Sequence, residues 1–147
     1  MGKLSMRSHE QVIWDFVEQW LKKAESDLKS ARILLDADVD DYFPSAFHSQ
    51  QAAEKFLKAY LVRHQIEFRK THDLDELFIL TDLVDPPLRY EIGSCVWLSP
   101  YGVEFRYPGE YPLVDKSTAE RGYEESRLVK EVVMRRIGDY ISKGRPN

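Results

Sequence analysis

Arg106 stands inside YGVEFRYPGEYP, the stretch from Tyr101 to Pro112, with Tyr101, Phe105, Tyr107 and Tyr111 around it. Aromatic faces stack on nucleobases and a guanidinium pairs bidentately with phosphate, so this composition suits a nucleotide or single-stranded RNA. In that reading Arg106 holds phosphate, with Tyr107 or Tyr111 stacking on the base. A structural reading stands beside it: the rings pin a long loop to the protein, and Arg106 pairs with Glu104 or Glu110. A long structureless segment inside a compact domain is more often functional than ornamental, which favours the ligand reading.

Two further groups of polar residues attract notice. KTHDL, Lys70 to Leu74, sets a cation and an imidazole at the first turn of an expected helix, where free N–H groups favour anions. Its bland reading is the stronger one: Thr71 and Asp73 cap while His72 packs. SAFHSQQAAEKFLKAYLV, Ser45 to Val62, carries His48, Gln50 and Gln51 within one helical turn. Such side chains at the margin of a buried face satisfy neighbouring carbonyls, or they line a ligand pocket. The amides are expected to tie helices or a partner chain together, and His48 to face the ligand groove.

These residues must be positioned by helices. Ser8 and Gln11 have capping-box spacing, and Trp14, Val17, Leu21, Ala24, Leu28, Ala31 and Leu35 then form one apolar stripe. That predicts a first helix of about 27 residues, ending at the aspartates of DADVDDYF, read as a solvated turn. Pro44 opens a second helix reaching about Gln65. In it Ser49, Ala53, Phe56, Tyr60 and His64 share the core side, and Gln51, Glu54, Lys55 and Lys58 the opposite one. Thr71 is expected to cap a short third helix, and Asp85 with Pro86 to begin a fourth that closes at Ser99-Pro100. Pro100 to Ser117 reads as an ordered loop. Ser117 with Glu120 then starts a last helix that keeps Tyr123, Val129, Val133, Ile137, Tyr140 and Ile141 inward and frays at GRPN. Three long and two short helices, without strands, predict an all-α up-and-down bundle in a single domain over 1–147, with 1–8 and 143–147 flexible.

Composition narrows the classes. A formal charge of −4 argues against a bulk nucleic-acid coat protein, although residues 44 to 70 hold five Lys/Arg against two Glu, enough for a local basic groove. The single cysteine, Cys95, excludes an internal disulfide and suits a reducing compartment. No apolar run approaches the ~18–20 residues of a membrane span, and MGKLSMRSHE lacks a signal core, so a cytoplasmic location is expected. Phosphate-loop, nucleophile-elbow and HExxH motifs are absent, and neither a metal nor a cofactor is expected.

Together these segments resemble the HEPN domain family. WLKKAESDLKSARILL is similar to its opening helix and FHSQQAAEKFLKAYLV, very closely, to its second. KTHDLDEL resembles its His-(Asp/Ser)-Leu-x-x-Leu turn, and RYPG, Arg106 to Gly109, its Arg-Tyr-Pro loop. The resemblance implies an antiparallel bundle that commonly forms a homodimer. In one branch the small HEPN protein partners a minimal nucleotidyltransferase, in a toxin–antitoxin-like pair, and binds a nucleotide or substrate. In another it is a metal-independent ribonuclease, with an Arg, a polar residue, and a His four to six residues after the Arg.

This chain departs from the ribonuclease pattern. Tyr107 replaces the polar residue, Tyr111 stands five places after Arg106, and no histidine follows His72. Tyrosine, with an unperturbed pKa of about 10, is a poor base near neutral pH. The sequence therefore favours a nucleotide-binding subunit over an enzyme, with Arg106, Tyr107, Tyr111, Lys70, His72 and His48 at the ligand. RNA cleavage and a pure interaction module, the latter displaying Trp14, Trp20 or Trp97, are the alternatives.

Overall fold

The computed structural model describes residues 6–103 and 109–147. Helix α1 spans His9–Asp36, α2 Phe43–Arg63, α3 Leu74–Thr81 and α4 Pro86–Ile92; a 3₁₀ segment, Gly93–Gly102, follows, then α5 Lys116–Arg136 and α6 Gly138–Ser142. No strand occurs among the described residues, and the chain forms the expected all-α bundle. None of its described helices is long and apolar enough to cross a membrane.

Helix α1 begins with the capping box its sequence announces. Ser8 Oγ accepts from the Gln11 amide at 3.1 Å, while Gln11 Oε1 accepts from the Ser8 amide at 2.9 Å. Its buried residues are Trp14, Val17, Ala24, Leu28, Ala31 and Leu35, six of the seven in the stripe. Leu21 packs partly buried against the same core.

Helix α2 is enclosed on several sides, by α1, α5, α3 and the 3₁₀ segment. Ala46, Ala52, Ala53 and Ala59 let those neighbours approach its backbone, while Phe56, Leu57, Tyr60 and Leu61 fill the spaces between. This enclosure overturns the expected polar outer face. Gln51, Glu54 and Lys58 are buried, Gln50 lies fully inside rather than at an edge, and His64 is exposed instead of inward.

Several helix boundaries differ from expectation because an aspartate caps in place of a nearby hydroxyl. Asp73, not Thr71, caps α3, accepting from the Asp75 amide at 3.0 Å; Thr71 Oγ1 accepts from the Asp73 amide and donates to Glu76. Asp115, not Ser117, caps α5 through the Thr118 amide. Asp85 occupies the cap position of α4 without capping, since its carboxylate accepts from Tyr60 Oη and Arg136 Nε. The fourth helical region does not stop at Ser99-Pro100: the 3₁₀ segment carries Pro100 within it. The last helix breaks at Ile137 into α5 and α6, with the apolar stripe continuing across the break. Beyond it, Arg145 pairs with Asp15 at 2.9 Å and the Pro146 carbonyl accepts from Gln11 Nε2.

Candidate functional site

The polar side chains of α2 form a ladder inside the protein. Gln51 Nε2 donates to Gln50 Oε1 at 2.7 Å, and Gln50 Nε2 donates to the His72 carbonyl at 3.0 Å. One turn on, Glu54 meets His72 Nδ1 at 2.7 Å and accepts from Lys58 Nζ at 3.1 Å. Side-chain exposure is 3% for Glu54, 6% for Lys58 and 52% for His72. A buried ion pair holds only where further hydrogen bonds offset desolvation. Lys58 finds the Thr71 carbonyl at 3.3 Å and lies over the rings of Trp20 and Phe68. Because a carboxylate accepts hydrogen bonds, the contact gives the donor role to His72 Nδ1.

His48 belongs to a different seam. Its Nδ1 meets Asp27 of α1 at 2.8 Å, and Lys55 pairs with the same carboxylate. The local cation surplus of residues 44 to 70 is therefore largely matched by acids: Lys55 by Asp27, Lys58 by Glu54 and Arg69 by Glu76. Arg63 lies instead over the Tyr140 ring, 4.2 Å from its centre.

A cleft of about 450 Å³ opens between the start of α2, the 3₁₀ segment and the chain leading into α5. Asp41 builds one side of it. Its carboxylate accepts from the amides of Phe43 and Val114 at 3.0 Å each, and the Tyr42 amide donates to the Val114 carbonyl at 2.9 Å. The aspartate run is thus a clamp at this residue rather than a solvated turn. Phe43, Trp97, Tyr101 and Tyr111 line the cleft, with Asp115 and Thr118 as its polar members beside aliphatic and proline residues. Tyr101 lies 6.1 Å from the Phe43 ring and edge-on to Trp97 at 5.9 Å. Trp97 is fixed from behind, donating from Nε1 to Glu125 while the Arg121 guanidinium lies 4.5 Å from its ring centre.

Of the residues singled out from sequence, Arg106 and Tyr107 lie outside the described residues. Tyr111 lines the cleft and is largely exposed; His48, Lys70 and His72 do not line it. His72 nevertheless reaches the same neighbourhood through Gln50. A Cβ added at Gly102 would meet Gln50 Cδ at 2.8 Å, so one buried amide touches both Gly102 and the His72 carbonyl. The Leu74 amide donates to Ser99 Oγ at 2.9 Å, packing the KTHDL turn against the end of the 3₁₀ segment. The residues 104–108 begin two positions beyond Gly102.

Sequence reasoning missed Phe43, Asp115 and Glu54 as members of this region, and named Trp97 only as a candidate for the surface of the alternative interaction module. Of the other tryptophans, Trp14 is buried and Trp20 packs beside Phe68. The Asp115–Thr118 cap spacing was a signal for the cleft's polar edge; nothing local marked Glu54. Among the described residues, no group of three or more His, Cys, Asp or Glu side chains could hold a metal ion.

Comparison with known proteins bears on the whole assembly. A curated relative from Methanocaldococcus jannaschii, "Putative toxin MJ1304", is 40% identical over 133 residues, covering 80% of this chain and 86% of that protein. No solved structure matches the chain significantly. The model of the HEPN domain matches residues 17–137, which take in the polar ladder and the aromatic cleft. The chain belongs to the HEPN domain family.

Proposed function

We propose that this chain is the toxin-like helical member of a two-protein pair and binds a nucleotide, or a nucleotide-bearing substrate, in the aromatic cleft. The observation that carries the proposal is the cleft itself: four aromatic side chains around a space of about 450 Å³, with Val103 and Tyr111 among its lining residues. That volume is of the size small-molecule sites use, about 300–1,000 Å³. Trp97 and Tyr101 supply walls for a base, and Arg106 supplies the charge for a phosphate. Lys70 and His72 add hydrogen-bonding capacity from the neighbouring turn. The relative's name supports the toxin-like role, and the family resemblance supports a homodimer with a minimal nucleotidyltransferase as its counterpart.

Calorimetric titration with ATP, GTP and UTP tests the binding site, repeated on Arg106→Ala. The proposal expects binding that the substitution weakens at least tenfold, the scale of a charge-assisted contact. No heat with any nucleotide at millimolar concentration would sink it.

RNA cleavage is a second reading, and His72 is what favours it. Its Nδ1 is held by Glu54, and its backbone shares the Gln50 amide with Gly102. An imidazole oriented in this way suits a general base. Nε2 would take the 2′-OH proton as O2′ bonds to phosphorus; the P–O5′ bond breaks and the leaving oxygen takes a proton from water. Cleavage of RNA in chelator, lost in His72→Ala, would establish this reading, and intact RNA after long incubation would remove it.

A further inference from the structure

The aromatic cleft has one charged side chain among its described lining residues, and it is an acid. Asp115 sits there with Thr118, and no lysine or arginine is among the described residues that line the space. A phosphate would be repelled by that carboxylate, so the space suits the base end of a ligand. A carboxylate only accepts hydrogen bonds, and the four bases answer it differently. Adenine and cytosine each set a ring acceptor beside their exocyclic amine on the pairing edge, and that lone pair faces the anion. Uracil offers one N–H between two carbonyls. Guanine alone presents two adjacent donors, N1–H and N2–H, at the spacing of two carboxylate oxygens.

We infer that the cleft is a guanine-selective base site in which Asp115 reads the N1–H and N2–H donors while Trp97 and Tyr101 wall the ring. The inference rests on the nucleotide reading above and narrows it to one base. Asp115 is already oriented: its Oδ1 accepts from the Thr118 amide at 2.7 Å as the cap of α5, which fixes the carboxylate plane. A carboxylate has about four lone-pair sites, so the cap leaves both oxygens able to accept again. The Thr118 hydrogen bonds also hold the Asp115 carboxyl below its ordinary range, keeping it anionic at neutral pH. The aromatic side is equally fixed, since Trp97 is braced by Glu125 and Arg121. Rigid walls with one oriented acceptor give selectivity, because the wrong base leaves the acceptor facing a lone pair.

The full-length chain and Asp115→Asn are titrated calorimetrically with GMP, AMP and xanthosine monophosphate. Asparagine caps a helix as well as aspartate does, so α5 keeps its start and circular dichroism of the variant should be unchanged. A bidentate base contact is worth about tenfold or more in discrimination, so the wild type should prefer GMP over AMP by at least that factor. Xanthine carries a carbonyl in place of the N2 amine, and an asparagine amide both accepts from N1–H and donates to that carbonyl. Asp115→Asn should therefore reverse the order of GMP and xanthosine monophosphate. Equal binding of GMP and AMP, or a guanine preference that survives Asp115→Asn, overturns the guanine assignment while leaving nucleotide binding intact. Absence of binding by all three, together with ATP, GTP and UTP, overturns both.

Discussion

Glu54 and His72 are joined by a 2.7 Å hydrogen bond that connects a buried carboxylate to an imidazole more than half exposed. The pair is how α2, in the centre of the bundle, fixes a turn at its surface. Lys58 makes the arrangement electrostatically tolerable, since its ammonium shares Glu54 and reaches the Thr71 carbonyl of the same turn. The Gln51–Gln50 ladder ties that turn at a second point and touches the end of the 3₁₀ segment. The KTHDL turn and the end of the 3₁₀ segment at Gly102 are therefore seated on a polar core.

Glu54→Gln keeps the side-chain volume and removes the charge, leaving Lys58 buried without its counter-ion. Breaking a buried pair in this way costs about 3–5 kcal/mol, whereas replacing both partners with apolar groups is often close to neutral. Urea unfolding of Glu54→Gln should show a loss on that scale, most of it recovered in Glu54→Leu/Lys58→Met. A neutral Glu54→Gln would mean the pair contributes nothing to stability.

Gly102→Ala tests the contact between the ladder and the 3₁₀ segment. The new Cβ would lie 2.8 Å from Gln50 Cδ and Oε1, and Gln50 is held by hydrogen bonds to Gln51 and His72. Overpacking of this kind costs about 1–3 kcal/mol. In a Gln50→Ala background the obstruction is gone, so the added cost of Gly102→Ala should fall to a few tenths of that value. Equal costs in both backgrounds would show that Gln50 does not set the spacing.

How much of this was legible follows from where each signal lies along the chain. The Ser8–Gln11 box and the α1 stripe depend on residues three or four apart, and they formed as read. The cap at Asp115 was missed, and Asp73 was named only beside Thr71, because Asp, Ser and Thr cap comparably and the two candidates stood two residues apart in each case. The break at Ile137 was invisible because the apolar period runs unchanged through Gly138. Glu54 and Lys58 are polar residues at an outward-looking period, and only the packing of other elements around α2 turned them inward. The cleft joins Phe43, Trp97 and Asp115, three positions that share no local pattern.

Cys95 offers a probe of the core. Burial, with the Glu125 charge adding to it, pushes its thiol up to about 12. The reactive thiolate is then negligible at neutral pH, so a thiol reagent such as DTNB should not modify the native protein. Reaction should appear with the unfolding transition in urea, coincident with the loss of helix signal. Rapid stoichiometric labelling of the native protein would place Cys95 at an accessible surface instead of on the buried side of the 3₁₀ segment.

The C-terminal contact to α1 carries a defined acid dependence. Hydrogen bonds from Arg145, then Arg7, lower the Asp15 carboxyl from 3.8 to about 2. A carboxyl depressed in the folded state binds its proton more readily once released. The contribution of these ion pairs is therefore complete above the unfolded value of 3.8 and is lost as pH falls toward 2. An NMR titration of Asp15 should show a midpoint near 2, with the Arg145 Nε–H resonance moving at the same pH. Arg145→Ala should raise that midpoint toward 3.8, and Arg7→Ala should raise it by less. A wild-type midpoint already near 3.8 would mean that the C-terminal arginine does not pair with α1 in solution.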